Sequence, residues 1–247
     1  MGALSVLAVL VWPSSKSSSS MGSGLPEPPD LALDVGRPQP LGQERHVSVW
    51  TSVRQADLAR KAPADGAAPV ARVGLRTPEG TSNVLEVLSR TRDAAGAVWV
   101  KVRLAVLPNG TTAWLPRTAI NGYRTVRTRL RIDVGRLRAT LFRDGEPVLR
   151  APVGVGEPHW PTPRGRFLVR NKLVRFRSPV YGPLAFGTSA RSPVLTDWPD
   201  GGFVGIHGTS RPDLLPGRIS HGCIRMRNPD ILRLGRLMPV GTPITIS

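Results

Sequence analysis

Alternating apolar and polar residues predict β-strands in the middle of the chain. In the segment AVWVKVRL, apolar side chains occupy every second position from Val98 to Leu104, and Trp99 falls on the opposite side. A period of two places one face of a strand against a core. Asn109-Gly110 then favours a tight turn before the segment TTAWLP, since both residue types tolerate positive φ. The pattern therefore predicts a β-hairpin with Trp99 on its outer face.

A second alternating region begins near residue 128. The segments LRIDV and LRATL carry apolar residues at alternate positions, and the turn sequence Asp144-Gly145 follows them. One helix is predicted late in the chain, where Asn228 is a capping residue, Pro229 suits the first helical position and Asp230 suits the first turn. The predicted fold is therefore mainly β, with short helices.

The beginning of the chain has a different amino-acid composition. Residues 1–20 start with the apolar run MGALSVLAVLVW, which has the length of a signal peptide but lacks its basic start. This segment is interpreted as a signal or membrane-proximal segment, with a misassigned start codon as the alternative. Residues 21–66 are rich in Ser, Pro and Gly up to about residue 43, and the whole range is predicted to be a flexible linker. Residues 67–122 and 123–247 are predicted to form two β-rich domains.

Charge is concentrated in the second half of the chain. Residues 123–247 contain 21 basic and 8 acidic residues, a net charge of +13 out of +17 for the whole chain. Such a field favours an anionic partner, and an anionic cell-wall polymer is one expected class. An arginine-rich genome would give the same count, because 30 of the 34 basic residues are arginine. Nucleic acid is not expected as a partner, since aromatic residues make up only 5% and do not interleave with the arginines.

Cysteine and histidine content limits the chemistry. The chain has one cysteine, Cys223, which excludes an internal disulfide and a thiolate-rich metal site. Its four histidines include no pair at i, i+4 with a carboxylate, so no metal is expected. No motif for a cofactor is present, and no cofactor is expected.

The segment from Gly205 to Asp230 concentrates the groups that a thiol nucleophile needs. A reactive thiol requires a base or cation nearby and a donor for the oxyanion. His207 lies sixteen residues before Cys223, within reach of a loop that folds back. His221 lies two positions before it, so on extended backbone both would point to the same side. From these residues alone, Cys223 is either a nucleophile or a small buried apolar side chain.

Two neighbours of the cysteine add further expectations. Gly222 leaves backbone N–H groups accessible to a substrate oxygen. Arg225 could share the face of Cys223 and bind a carboxylate, or it could simply pair with Asp230.

Ordered motifs resemble a known enzyme family. The sequences IHGT, SHGCIRM and the following N-x-D, together with TPRGRF at 162–167 and FGTSARSPVLTDWPDGGFVGIHG, strongly resemble the L,D-transpeptidase catalytic domain, whose cysteine enzymes cross-link bacterial peptidoglycan. The resemblance covers about residues 128–247 and implies a β-rich catalytic domain. The stretch VWVKVRL...NGTTAWLP resembles the bacterial SH3-like domains found beside cell-wall enzymes, which implies a small barrel over 67–122.

The resemblance also implies roles for individual residues. Cys223 corresponds to the acylated nucleophile and His207 to its base, with the carbonyl of Gly208 orienting the imidazole. His221 and Gly222 correspond to the loop that shapes the oxyanion hole with the N–H of Cys223. The residues expected to support the loop or bind substrate are Ser220, Arg225 and Tyr181.

The implied reaction is two-step acyl transfer. A Cys223 thioester forms on a donor tetrapeptide stem with release of D-Ala, and an amine of a second stem resolves it into a 3→3 cross-link. The implied partners are peptidoglycan stem peptides, the implied location is the extracytoplasmic envelope, secreted or tethered, and a monomer is expected. The alternatives are L,D-carboxypeptidase trimming of stems and a non-catalytic envelope module that binds peptidoglycan.

Overall fold

The structure is a computed structural model that describes residues 36–42, 44–174, 179–195 and 202–247. The predicted signal segment, 1–20, and the first part of the predicted linker therefore lie outside the described residues. All described residues belong to one compact unit. The fold is mainly β, as predicted, and is built from two sheets and one α-helix.

The first sheet has eight strands, which pair in the order β4-β3-β7-β6-β5-β2-β8, with β1 alongside β5. All of these pairs are antiparallel. The sheet surrounds a core of its own, in which Val100, Val102 and Leu115 are completely buried. The strands are β1 Gln39–Pro40, β2 Ser48–Ser52, β3 Asp57–Arg60, β4 Pro69–Val73, β5 Val84–Arg92, β6 Val98–Arg103, β7 Thr112–Pro116 and β8 Arg124–Val126.

One detail of this sheet differs from the sequence-based predictions. Trp99 is 1% exposed instead of lying outward. Its indole Nε1 donates a hydrogen bond of 2.9 Å to Asp93 Oδ2, which satisfies the polar end of a buried ring. The hairpin of β6 and β7 forms as predicted. The SH3-like identity of this sheet stays a prediction.

The predicted linker over 21–66 is too long. Strands β2 and β3 lie within that range, and Thr51 and Ala59 are fully buried. The reason is visible in the sequence, because the alternation of Val49, Thr51 and Val53 begins after the Ser, Pro and Gly bias has ended. The first sheet therefore starts well before residue 67.

The second sheet has ten strands, in the order β11-β10-β9-β18-β13-β14-β15-β17-β12-β16. Three of its pairs are parallel: β9 with β18, β12 with β16, and β15 with β17. Its core includes the alternating residues predicted from LRIDV and LRATL. The strands are β9 Thr128–Asp133, β10 Arg138–Arg143, β11 Glu146–Pro152, β12 Gly154–Gly156, β13 Gly165–Val174, β14 Leu184–Arg191, β15 Phe203–His207, β16 Gly217–Ser220, β17 Ile224–Arg225 and β18 Pro243–Ile246.

Helix α1, Asn228–Leu237, occurs where it was predicted, but its first turn differs. The N-cap is Arg227, which forms no side-chain cap hydrogen bond. Asn228 is already helical, and its Oδ1 accepts a hydrogen bond of 3.0 Å from the backbone N–H of Thr209. The predicted capping side chain is therefore used to hold the loop after His207.

Polar side chains connect the two sheets. The Asn109 amide donates to the carbonyl oxygen of Arg191 at 2.7 Å and accepts from its N–H at 3.0 Å. The Asn171 side-chain Nδ2 donates to Glu79 Oε2 at 3.0 Å, and the Asn171 side-chain Oδ1 accepts from the N–H of Gly187 at 2.8 Å. These bonds tie β13 and β14, the second of which pairs with β15, to loops of the first sheet.

A glycine substitution tests the contact between the two sheets. A Cβ on Gly241 would overlap the indole ring of Trp50 in β2, whereas a Cβ on Gly96 would meet nothing within 4 Å. Both glycines have similar φ, +85° and +83°, so backbone strain is matched. Gly241→Ala should lower the free energy of unfolding by about 1–3 kcal/mol more than Gly96→Ala, because of overpacking. Equal losses in denaturant titrations of the two variants would show that Trp50 does not press on this turn.

Candidate active site

Two parallel strand ends bring the candidate residues to one face of the second sheet. Ile206 of β15 lies opposite Ile224 of β17, and both are fully buried in the core. Residues opposite each other in neighbouring strands share a face, and alternate residues along one strand share it too. The face directed away from the core therefore carries Gly205, His207, Cys223 and Arg225.

The space beside the Cys223 sulfur is left open by a glycine. The N–H of Gly205 donates to Cys223 Sγ at 3.4 Å. A Cβ on Gly205 would lie 3.9 Å from both Cys223 Sγ and His207 Cδ2, so the sulfur and the ring border the same small space. Gly205 belongs to the GIHG segment, but its role next to the sulfur was not predicted from the sequence.

The His207 ring is held in one orientation. Its Nδ1 lies 2.6 Å from the carbonyl oxygen of Gly208. A carbonyl can only accept, so Nδ1 carries the proton and Nε2 keeps the lone pair that a base requires. The Tyr181 ring packs edge-on against the imidazole, with centroids 4.8 Å apart. His207 is 3% exposed, which leaves the ring little freedom to turn.

Close backbone packing fixes the position of Gly208. A Cβ on Gly208 would lie 3.1 Å from the Cα of Gly182 and would overlap Asn228 Oδ1. The turn after Tyr181, the loop after His207 and the side chain of Asn228 therefore pack directly against one another. The sequence reasoning missed Gly182 and this use of Asn228, although the resemblance had included Asn228 in its N-x-D motif.

The loop before Cys223 is held by two hydroxyl groups. Ser220 Oγ accepts from the N–H of Gly222 at 3.1 Å and donates to the carbonyl of Cys223 at 2.6 Å. Thr162 Oγ1 donates to the carbonyl of Gly222 at 2.8 Å and accepts from the N–H of Gly156 at 2.8 Å. Thr162 lies in the TPRGRF motif, which could have indicated its role.

These contacts change the expectation for the oxyanion hole. The N–H of Gly222 is directed to Ser220 and is not available to a substrate oxygen. In the described part of the chain, the N–H of Cys223 has no hydrogen-bond acceptor. Of the two residues predicted to line the oxyanion hole, only Cys223 has an available N–H.

The backbone between His221 and Cys223 is not extended, unlike the geometry that the sequence argument assumed. Gly222 has φ +113°, so the chain turns between β16 and β17 and the alternation of sides is lost. The His221 ring packs against Trp160, with centroids 4.2 Å apart. His221 still lines the pocket that contains Cys223.

The pocket around the sulfur combines an apolar wall with one cation. Its volume is about 240 Å³. Arg225 lines it, and its Nε is buried without a hydrogen-bond partner among the described residues. Arg225 does not form the ion pair with Asp230 that the sequence left open. The apolar wall is formed by Val180, Tyr181, Leu195 and Phe203.

Burial keeps both reactive groups uncharged. Burial lowers the pKa of His207 to about 4, with Arg225 adding to this effect and the Gly208 hydrogen bond opposing it. Burial raises the pKa of the Cys223 thiol above its usual value, although the Gly205 N–H and Arg225 oppose this shift. The free site is therefore a neutral thiol beside a neutral imidazole at neutral pH. The described residues contain no cluster of His, Cys, Asp and Glu suited to a metal ion.

Comparisons with known proteins point to one family. The family model of the YkuD L,D-transpeptidase catalytic domain matches residues 127–246, a range that contains every candidate site residue. The chain is 32% identical over 123 residues to the Bacillus subtilis protein named "Putative L,D-transpeptidase YkuD", covering 50% of this chain and 68% of that protein. It is 29% identical to the protein of the same name from Bacillus licheniformis, covering 50% of this chain and 67% of that protein.

Two solved structures are also similar to parts of this chain. The catalytic domain of an L,D-transpeptidase from E. faecium is 26% identical, with 49% of this chain and 96% of that chain covered and a TM-score of 0.38. An L,D-transpeptidase from Mycobacterium smegmatis is 18% identical, with 80% of this chain and 99% of that chain covered and a TM-score of 0.41.

Two histidine variants test which ring acts on the sulfur. If Nε2 of His207 removes the thiol proton, His207→Ala should reduce the rate of Cys223 alkylation by iodoacetamide at neutral pH by at least about 10-fold. His221→Ala should change the rate less than threefold. Alkylation rates measured from pH 5 to 10 give the pKa of the Cys223 thiol in the wild type and in each variant. A raised thiol pKa in His221→Ala alone would contradict the assignment of His207.

The lowered pKa of His207 also predicts an effect of acid on stability. The unfolded chain binds a proton near pH 6.5 and the folded chain only near pH 4, so folding loses stability as pH falls through that window. The loss attributable to this residue is about 3 kcal/mol. Denaturant titrations at pH 7 and pH 4 should show this part of the loss in the wild type and in His221→Gln but not in His207→Gln. The same acid loss in all three proteins would contradict a buried neutral imidazole.

Proposed function

The chain belongs to the YkuD L,D-transpeptidase catalytic domain family, and we propose that it forms 3→3 cross-links in peptidoglycan through an acyl-enzyme on Cys223. The observation that carries the proposal is the shared face of β15 and β17. On that face Cys223 and His207 border one open space, and the imidazole presents an unprotonated Nε2.

The first step is acylation. The Cys223 thiol is neutral in the free site, so its proton passes to Nε2 of His207 as the sulfur attacks the donor carbonyl. The carbonyl at the L-centre of the third stem residue becomes an oxyanion, which the N–H of Cys223 stabilises. When the tetrahedral intermediate collapses, the C–N bond breaks and His207 returns the proton to the departing D-Ala nitrogen. A thioester remains on Cys223.

The second step uses the same groups in the opposite direction. The side-chain amine of a second stem attacks the thioester, His207 takes a proton from the attacking nitrogen, and the thiol is re-formed. The product is an amide bond between two third residues. If water attacks first, the product is a tripeptide and the site acts as an L,D-carboxypeptidase.

Substrate contacts follow from the pocket. Arg225 has a buried Nε without a partner and lines the pocket, so it is suited to bind a stem carboxylate. Tyr181 covers His207 and offers an exposed ring edge to a bound stem. Ser220 bonds within its own loop, and its contribution is to hold Gly222 and Cys223 in place.

Peptidoglycan determines the proposed location, because it lies outside the cytoplasmic membrane. We therefore place the protein in the extracytoplasmic envelope. Within the described ranges, no helix combines the length and the apolar composition needed to cross a bilayer.

Muropeptide analysis tests the reaction. Sacculi treated with the wild-type protein should gain 3→3 dimers and release D-Ala, whereas Cys223→Ala should give no product because no thioester can form. Trimmed tripeptides without dimers would select the carboxypeptidase.

A second measurement tests the nucleophile itself. Incubation with a carbapenem should add its mass to Cys223 in the wild type but not in Cys223→Ala. Three results together would contradict the proposed enzyme and select the non-catalytic binding module. These are an unchanged muropeptide composition of the sacculi, no carbapenem mass on Cys223, and retained binding of the protein to sacculi in a pull-down.

A further inference from the structure

The outward face of strands β9 to β11 carries an ordered set of arginines. Arg131 lies opposite Thr140, and Thr140 lies opposite Arg150. On the other side Arg131 lies opposite Thr245, which lies opposite Arg166. The same face also includes Arg129 and Arg138, because alternate residues of a strand share a side. The set is called the basic face below and consists of Arg129, Arg131, Arg138, Arg150 and Arg166.

The charges of the basic face are not neutralised within the described protein. All five arginines are exposed, and none forms an ion pair with a described residue. Asp133 lies opposite Arg138, but its carboxylate accepts hydrogen bonds from the backbone of Gly135 and Arg136 and pairs with the Arg136 guanidinium. Like charges this close repel each other, so their concentration on one face favours an anionic partner.

The basic face is grooved. A cleft of about 360 Å³ is lined by Arg129, Arg131 and Phe142 on the sheet and by His46 on the facing turn. A second cleft of about 190 Å³ is lined by Phe142, Thr140, Arg131, Arg136, Arg138 and Arg150, and by Asp133, whose carboxylate pairs with Arg136. Arg131 and Phe142 line both clefts, so the two clefts adjoin, and together they are called the groove below.

One wall of the groove is held in a costly conformation. His46 has φ +68°, in the left-handed region that costs a side-chain-bearing residue about 1–2 kcal/mol. Its ring packs against Gly145, where a Cβ would lie 2.7 Å from His46 Nε2. Arg127 pairs with Glu44 and Asp144 and fixes the same turn to the hairpin of β10 and β11. The packing of His46 and the ion pairs of Arg127 therefore fix the shape of this wall of the groove.

We propose that this groove binds a linear phosphodiester polymer of the cell envelope, such as poly(glycerol phosphate). Arginine forks suit phosphate oxygens. Their side chains are about 7 Å apart along one strand and about 10 Å apart across two strand spacings, which suits a chain with one phosphate per short repeat. Single-stranded nucleic acid fits less well, because Phe142 is the only aromatic residue of the basic face and bases need several stacking partners.

This binding does not depend on acyl transfer. None of the five arginines lines the pocket that contains Cys223. The surface would hold the enzyme at a polymer-rich layer while the thiol acts on stems nearby.

A charge-matched pair of triple variants tests the groove. The face variant is Arg131→Gln/Arg138→Gln/Arg150→Gln, and the control is Arg54→Gln/Arg72→Gln/Arg233→Gln, three exposed arginines away from the basic face. Both lose three charges. The probe is purified poly(glycerol phosphate), with dissociation constants measured at several salt concentrations between 50 and 300 mM, chosen as roughly the range where such binding changes.

The wild type should bind with a strong salt dependence, and the face variant should bind at least about 10-fold more weakly with a shallower salt slope. The control should stay within threefold of the wild type. Three outcomes would each overturn the proposal. The two variants could lose affinity for poly(glycerol phosphate) equally, the wild type could fail to bind it, or the wild type could bind a single-stranded DNA of equal charge more tightly. Carbapenem acylation of Cys223 should be unchanged in both variants, which separates failure of this inference from failure of the proposed enzyme activity.

Discussion

The parallel pairing of β15 with β17 is the constraint on which the candidate site depends. It places two residues that are sixteen positions apart in the sequence on the same face, and it does so because the opposite sides of both strands are apolar and buried. A shift of one residue in this register would turn His207 or Cys223 into the core. The packing of Ile206 and Ile224 therefore determines the chemistry on the other face.

Around this pairing, the protein restrains each reactive group through backbone atoms. The imidazole is oriented by a carbonyl, the sulfur receives a backbone N–H, and the loop before Cys223 is held by hydroxyl groups that bond to its peptide units. Peptide groups carry no net charge, so they orient His207 and Cys223 without favouring an ion pair between a thiolate and an imidazolium. Burial then keeps the thiol and the imidazole neutral.

The sequence allowed the mainly β fold, the family and the segment around Cys223 to be predicted, because these depend on alternation and on ordered motifs. Other features could not be read from local patterns. Trp99 is buried because Asp93 accepts its N–H, and the side chain of Asn228 turns away from its helix because Thr209 offers a donor. The position of His221 depends on the positive φ of Gly222, which alternation does not reveal.

The asparagine bonds between the two sheets have a consequence for how the protein is divided. The two hydrophobic cores are separated in the sequence between β8 and β9, but Asn109 and Asn171 form hydrogen bonds from one sheet to the other. Removing the first sheet would leave Asn171 in β13 and the backbone of Arg191 in β14 without these partners, and β14 is the direct neighbour of the strand that carries His207. The two sheets are thus separate in sequence but share hydrogen bonds, and a chain cut between them would leave polar groups of the second sheet exposed beside the candidate site.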